Sequence, residues 1–262
     1  MKYSCCIWAL SDPESDVLTH MADLGFTWID LQPHTFSSAE AIAQMKALNL
    51  QVSCVGASFG IPQPASLDHE DETLRQEAVA HLLRALDFTK DMGADVVYVI
   101  PGMDDSEAAL NRYAASLITA ADQAAEIGIK VGIEHFPEKA LPTASGTLAF
   151  LEKINHPNLY LLFDLGHIQI SKEDPAAVIK EAGDRLAYVH LDDNDGEGDF
   201  HWSLLDGVMT KDTLKQTFNA LDEIGYRGAI SLELSPKLDN PLTALRDSQD
   251  IVLDVMANRS EG

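Results

Sequence analysis

Basic residues are scarce. The chain carries 18 Lys plus Arg against 42 Asp plus Glu, a formal net charge of −24. Phosphate backbones and anionic bilayers are held by clustered Lys and Arg, so nucleic acid and membrane surfaces are excluded as expected partners. Cysteine is scarce too: Cys5, Cys6 and Cys54 are an odd set without the spacing of a disulfide framework. In a strand, Cys5 and Cys6 point to opposite faces and do not bridge. Three buried thiols in a reducing cytoplasm are the expected arrangement. No run of about 18 apolar residues is present, which excludes a transmembrane helix. The opening MKYSCCIWALSDPES is too short in its apolar stretch for a secretory signal. Low-complexity segments and linkers are also lacking.

What is there is a regular two-beat pattern in 262 residues, 46% hydrophobic and 23% charged. Short apolar runs at 3–9, 27–31, 52–55, 96–100, 130–134, 159–164, 186–191 and 229–234 read as eight strands buried on both faces. Amphipathic stretches lie between them, the longest at 70–92 and 106–127. Asp12-Pro13, Asp174-Pro175 and Asn240-Pro241 each set a capping side chain before a proline, as a first helical turn prefers. Gly25, Gly93, Gly128, Gly183 and Gly225 fall where a helix needs a left-handed terminal residue. Eight strands alternating with helices imply parallel pairing through right-handed crossovers, most simply an α/β fold closed as a (β/α)8 TIM barrel, one domain over 1–262. A doubly wound open sheet is the competitor. It usually carries a glycine-rich phosphate turn after strand one, where this chain has Leu10-Ser11-Asp12-Pro13.

Period two along the last four strands places Glu134 with Gly132, Asp164 with Leu162 and Tyr160, His190 with Tyr188, and Glu233 with Ser231. The opposite faces are uniformly apolar and suit a helix layer. The polar residues therefore point into the barrel, at or near the last position of each strand, at the C-terminal mouth where barrel enzymes place their chemistry. Three carboxylates crowded there repel one another, and burying unpaired charge is costly, so protons or a cation must compensate. Three acids and one imidazole suit an oxygen-preferring divalent metal, Mn²⁺ first, with Mg²⁺, Co²⁺ or Zn²⁺ as alternatives.

His167, three residues after Asp164, reaches the same mouth. In the acidic loop after the seventh strand, Asp192, Asp193, Asp195 and Glu197 read as a solvated run, and the Asp199-x-His201 pair as substrate-facing or a second metal position. His34, after the second strand, is a further substrate-contact candidate. His20, His69, His81 and His156 read as surface or packing residues, and His135 as facing away from the mouth. Trp8, Phe36, Phe59, Phe136 and Trp202 are candidate apolar walls.

Ile133-Glu134, Asp164-Leu165-Gly166-His167, Val189-His190-Leu191 with its Asp-Asn-Asp-Gly continuation, and Leu232-Glu233-Leu234 resemble the sugar isomerase/epimerase branch of the xylose isomerase-like barrels. The resemblance implies that Glu134, Asp164, His190 and Glu233 are metal ligands. It also implies that Glu134 and Glu233 double as the acid/base pair and that His167 contacts a substrate hydroxyl or carbonyl. Where the epimerases often have an Arg six residues after the His190 position, this chain has Gly196. The endonuclease branch needs further His ligands after strands three and four, where this chain has Val55-Gly56-Ala57-Ser58 and Ile100-Pro101-Gly102.

The expected activity is a metal-dependent sugar isomerase or ketose epimerase, moving a proton through an ene-diolate. The acidic mouth, with only Lys139, Lys172 and Lys237 nearby, favours a neutral keto sugar or polyol over a sugar phosphate. A metal-dependent dehydratase of a keto-polyol such as inosose or dehydroshikimate is the alternative, and a non-catalytic sugar-binding barrel the third. Small-molecule partners are expected, and a homo-oligomer is left open.

Overall fold

The computed structural model describes residues 1–258. Strands β1 (Lys2–Cys6), β2 (Trp28–Leu31), β3 (Gln51–Gly56), β4 (Val96–Val99), β5 (Lys130–Glu134), β6 (Leu159–Asp164), β7 (Leu186–Leu191) and β8 (Ala229–Leu232) pair in parallel and in chain order, and β1 closes on β8. The strand-to-strand crossovers are α1 (Glu14–Asp23), α2 (Ala39–Ala47), α3 (Glu72–Asp91), α4 (Glu107–Glu126) and α5 (Ala144–Ile154), then α6 (Leu165–Ser171) with α7 (Pro175–Ala182), and α8 (Lys211–Glu223). Helix α9 (Pro241–Ala257) follows β8. The fold is a closed (β/α)8 barrel, not an open sheet.

Period two produces two separate apolar layers. Val131, Ile133, Leu161, Phe163, Val189, Ile230 and Leu232 join the layer between strands and helices. Cys54, Val96, Tyr98, Leu162, Tyr188 and Ala229 fill the barrel interior. Cys5 belongs to the outer layer, while the Cys6 thiol faces Asp30 inside, as alternation requires. All three cysteines are free and buried. Ala187 departs from the expected alternation and packs in the interior with Tyr188. The cause is a register slip: Leu161 pairs with Leu186 but Leu162 with Tyr188, so the strand carries one extra residue.

The local signals held with one exception. Asp174 and Asn240 cap α7 and α9, accepting hydrogen bonds from the Ala177 and Thr243 amides. All five expected glycines take positive φ, from 49° to 86°, just beyond helix ends. Asp12 is not a cap. Pro13 itself occupies that position without a side-chain hydrogen bond, and Glu14 and Asp16 offset the helix dipole instead. The first strand ends at Cys6 because Ile7–Ala9 turns into a single 3₁₀ turn, and the eighth ends at Leu232. The Glu233 amide still donates to the Leu191 carbonyl at 3.1 Å, so Glu233 continues the line of the barrel.

One remote carboxylate fastens a helix start beside the mouth. Glu173 accepts hydrogen bonds from the Ala144 and Ser145 amides (2.8 and 2.9 Å) and from Ser171 Oγ (2.8 Å). Burial opposes its charge, but the donors from Ser145, Ala144 and Ser171 more than offset this and hold its carboxyl below the usual range. A depressed folded-state value contributes stability above the unfolded value, which is lost as pH falls through the folded one. Glu173→Gln is expected to cost about 1 kcal/mol at neutral pH, a shift of about 2–4 °C in Tm. Thermal melts from pH 7 downward should show the gap closing once pH falls below the usual carboxyl value of 4.5.

Candidate metal centre and its surroundings

The four strand-end side chains converge. One donor atom from each of Glu134, Asp164, His190 and Glu233 lies within 4.8 Å of the others. His190 Nδ1 is 2.7 Å from Glu233 Oε2, 3.4 Å from Glu134 Oε1 and 3.8 Å from Asp164 Oδ2. The parallel register explains the meeting: Asp164 is paired with His190, and His190 with Ser231, two residues before Glu233. Exposure is 2% for Glu134, 0% for Asp164 and His190, and 7% for Glu233, too little water to solvate three carboxylates.

Electrostatics within the cluster is correspondingly distorted. Burial pushes the Glu134 carboxyl up, and the neighbouring Glu233 charge adds to this against the opposing pull of His190. Burial also disfavours the Glu233 charge, but the His190 imidazole beside it holds that carboxyl down at about 2. His190 is raised well above the ordinary imidazole range; burial works against its charge and Glu233 overrides it. Even so, Asp164 Oδ2, His190 Nδ1 and Glu233 Oε2 are buried with no oriented hydrogen-bond partner among the described residues. Three such atoms aimed at one point, in an O,O,O,N donor set, fit a divalent cation.

A cavity of about 410 Å³ opens above the cluster, lined among others by Trp8, Phe59, Phe136, Glu134, Glu233 and Lys237. Trp8 Nε1 donates to Glu233 Oε1 at 2.9 Å, which leaves Oε2 for the cluster. His81, expected as a packing residue, is buried on α3 with Nε2 2.9 Å from the Phe59 carbonyl, and so steadies that wall. Phe36 is elsewhere, buried in the outer layer. Trp202 stacks on Phe200, which lines the cavity, with ring centroids 5.0 Å apart.

A second network borders the first. Asp199 Oδ1 lies 3.3 Å from His167 Nε2 and 3.2 Å from His201 Nε2, while His201 Nδ1 lies 3.0 Å from Asp192 Oδ2. The His167 amide donates to Asp164 Oδ1 at 2.8 Å, joining the network to the metal-type cluster. The His167 ring nitrogen Nδ1 lies 2.8 Å from the His135 carbonyl oxygen, which directs Nε2 toward Asp199. His167 is fully buried, whereas Asp199 and His201 line the cavity. Burial opposes charge on His167, but Asp164 and Asp199 raise it to about 10. His201 is raised in the same manner by Asp192 and Asp199, and Asp199 is held low by the two imidazoles despite its burial.

Two expectations are corrected. Asp192 and Asp193 are buried rather than solvated. Asp192 Oδ1 accepts from the Gly166 amide at 3.1 Å, and Asp193 accepts from the amides of Asn194, Gly207 and Met209. Burial and the nearby Asp164 charge push Asp192 up to about 8, against the pull of His201. Asp195 stays in the exposed loop and closes it by accepting from the Glu197 and Gly198 amides. His34 is not brought to the cavity. Positive φ at His34 and Phe36 turns the chain after β2, and the exposed His34 ring packs 5.5 Å from Phe88 on α3. His135 is buried beside Phe163 and His167, and its Nε2 accepts from the Asp164 amide at 3.3 Å.

Sequence reasoning missed Asp30, a fully buried carboxylate inside the barrel whose Oδ2 lies 3.7 Å from His190 Nε2. A signal existed: in Trp28-Ile29-Asp30-Leu31 the acid holds the phase opposite Ile29 and Leu31.

The barrel brings three acids and an imidazole together at its C-terminal mouth, a donor set that could hold a metal ion. The family model for the xylose isomerase-like TIM barrel matches residues 18–254, and the chain belongs to that family. It is 34% identical over 216 residues to L-ribulose 3-epimerase of Methylomonas sp. (strain DH-1), covering 74% of this chain and 72% of the relative. It is 28% identical over 232 residues to ketose 3-epimerase of Arthrobacter globiformis, covering 80% and 74%. Among solved structures it is similar to an L-ribulose 3-epimerase with a TM-score of 0.83 and 21% identity, covering 99% of this chain and 96% of that one.

Gly166 sits where the two networks touch. A Cβ there would lie 2.2 Å from Asp192 Oδ1, closer than any tolerated contact. Gly166→Ala is expected to destabilise the protein by about 1–3 kcal/mol through overpacking. Denaturant unfolding checks this, and an unchanged midpoint would contradict the packing described.

Proposed function

We propose that this chain is a divalent-metal-dependent ketose epimerase acting at the carbon next to the carbonyl of an unphosphorylated keto sugar, as the 3-epimerase relatives suggest. The observation that carries the reading is the convergence of Glu134, Asp164, His190 and Glu233 on the floor of a cavity that both glutamates line. When bound by these four residues, a dication, Mn²⁺ by preference, supplies Lewis acidity toward the carbonyl and neighbouring hydroxyl of the sugar.

The chain's own groups do the rest. One glutamate takes the proton from the C–H bond, and the electron pair moves into the new carbon–carbon double bond as charge develops on the former carbonyl oxygen. The other glutamate returns a proton from the opposite face, which restores the carbonyl and inverts the centre. The two carboxyls exchange protonation states, and solvent resets them. Trp8 holds Glu233 by one oxygen, so the carboxylate stays aimed at the substrate. The walls of Phe59 and Phe136 exclude water from the developing charge. Asp199 and His201, at the cavity wall, bind sugar hydroxyls, with His167 fixed behind Asp199 as their support.

A neutral substrate follows from the cations available. Lys237 lines this cavity, Lys139 lines the adjoining one, and Lys172 donates to the Gly196 carbonyl. With Lys172 held by that carbonyl and Lys139 over the Phe136 ring, Lys237 is the lysine that lines this cavity. Three free buried cysteines support a reducing, cytoplasmic setting in carbohydrate metabolism.

The test is incubation of a panel of free ketoses with the Mn²⁺-loaded protein in deuterated water. The expected result is a 3-epimer of unchanged skeleton carrying one solvent deuteron. Loss of water would instead identify the dehydratase reaction, and no exchange with any ketose would contradict the proposal. Glu134→Gln and Glu233→Gln should each lower turnover by about 10²–10⁴-fold while the fold is kept, measured by product formation and circular dichroism. Chelation should abolish turnover reversibly, and Mn²⁺ alone should restore it.

A further inference from the structure

Asp30 lies inside the barrel below the four-donor cluster, and the proton transfer described above does not use it. Its carboxylate is held from several sides. Oδ1 accepts from Ser4 Oγ at 3.0 Å, from Ser53 Oγ at 2.6 Å and from the Tyr188 hydroxyl, while Oδ2 accepts from Cys6 Sγ at 3.4 Å. A bulge builds this pocket. The β2–β3 register slips between Ile29 and Asp30, and the skipped residue, Ser53, places its Oγ within 3.1 Å of the Ile29 carbonyl and 2.6 Å of Asp30 Oδ1, donating to the nearer. Among the described residues the one ion-pair partner of Asp30 is His190, whose Nε2 lies 3.7 Å from Oδ2, an ion-pair separation rather than a hydrogen bond.

The two edges of the His190 ring therefore face different anions. Nδ1 faces Glu233, Glu134 and Asp164; Nε2 faces Asp30, with Cys6 Sγ at 3.9 Å. A carboxylate behind a metal-ligating imidazole fixes its tautomer and orientation and strengthens its basicity. We propose that Asp30 is a positioning residue: it holds the proton-bearing Nε2 edge of His190 toward the barrel floor, so that Nδ1 is the nitrogen offered to the divalent cation. This role rests on the metal-binding reading of the cluster. A purely structural Asp30, present only to satisfy the hydroxyls of Ser4, Ser53 and Tyr188, would not influence metal affinity.

The two are separated by titrating Mn²⁺ into the full-length metal-free parent, Asp30→Asn and Tyr188→Phe, reading free Mn²⁺ by electron paramagnetic resonance and fold by thermal melts. Asp30→Asn should weaken Mn²⁺ binding by about tenfold or more, whereas Tyr188→Phe, which removes a donor and leaves the charge, should keep it within about threefold. Parental affinity in Asp30→Asn, or equal weakening in both variants, would overturn the positioning role alone. No uptake by the parent would overturn the metal reading and this role with it. If Asp30→Asn does not fold, nitrogen-15 imidazole spectra of the Zn²⁺-loaded parent decide. Zinc on Nδ1 of His190 with a proton on Nε2 is expected, and the reverse assignment would overturn the proposal.

Discussion

Three carboxylates and one imidazole are forced together at the mouth of this barrel, and their mutual charge is the constraint on which the rest depends. Glu134, Asp164 and Glu233 have almost no water around them, and the protein offers them no Lys or Arg within ion-pair reach among the described residues. Among the described residues His190 is the one cationic group that meets all three, and His167 adds a single ion pair, to Asp164 Oδ1 at 3.9 Å. Removing charges of like sign from water costs several kcal/mol each unless they are compensated. Two imidazoles do not balance three carboxylates, in keeping with the opposite directions of Glu134 and Glu233 and with the unpartnered oxygens of Asp164 and Glu233.

The same constraint organises the surroundings. Toward the loops, Asp199 lies between the His167 and His201 imidazoles, and His201 reaches on to Asp192. Toward the barrel floor, Asp30 meets the far edge of His190 and is wrapped by hydroxyl and thiol donors. Parallel strands supply this precision because each carries its donor at its C-terminal end, where register fixes neighbours to within a residue. The helix layer packs against the opposite faces, and α6 adds the His167 amide that donates to Asp164 Oδ1.

How much of this was legible in the sequence depends on how directly each feature follows from alternation. The eight strands and the four strand-end donors were readable because an acid or imidazole in the wrong phase of an apolar strand is conspicuous. Asp30 has the same signature but sits in mid-strand on a four-residue segment, and its pocket depends on a bulge that no periodicity announces. Asp192 and Asp193 looked solvated because acids beside glycines usually are. Their burial depends on amides of Gly166, Gly207 and Met209 that the chain delivers only once folded. The place of His34 is hidden for a similar reason: the backbone turns at two positive-φ residues, and strand order alone does not say where a side chain points after such a turn.

The most direct measurement is a crystal structure of the Mn²⁺-loaded protein, with the ion located by its anomalous scattering. The account predicts one strong site, bound by one oxygen each from Glu134, Asp164 and Glu233 and by a nitrogen of His190. An ion found instead among Asp192, Asp199 and His201, or no ordered ion at saturating Mn²⁺, would contradict it.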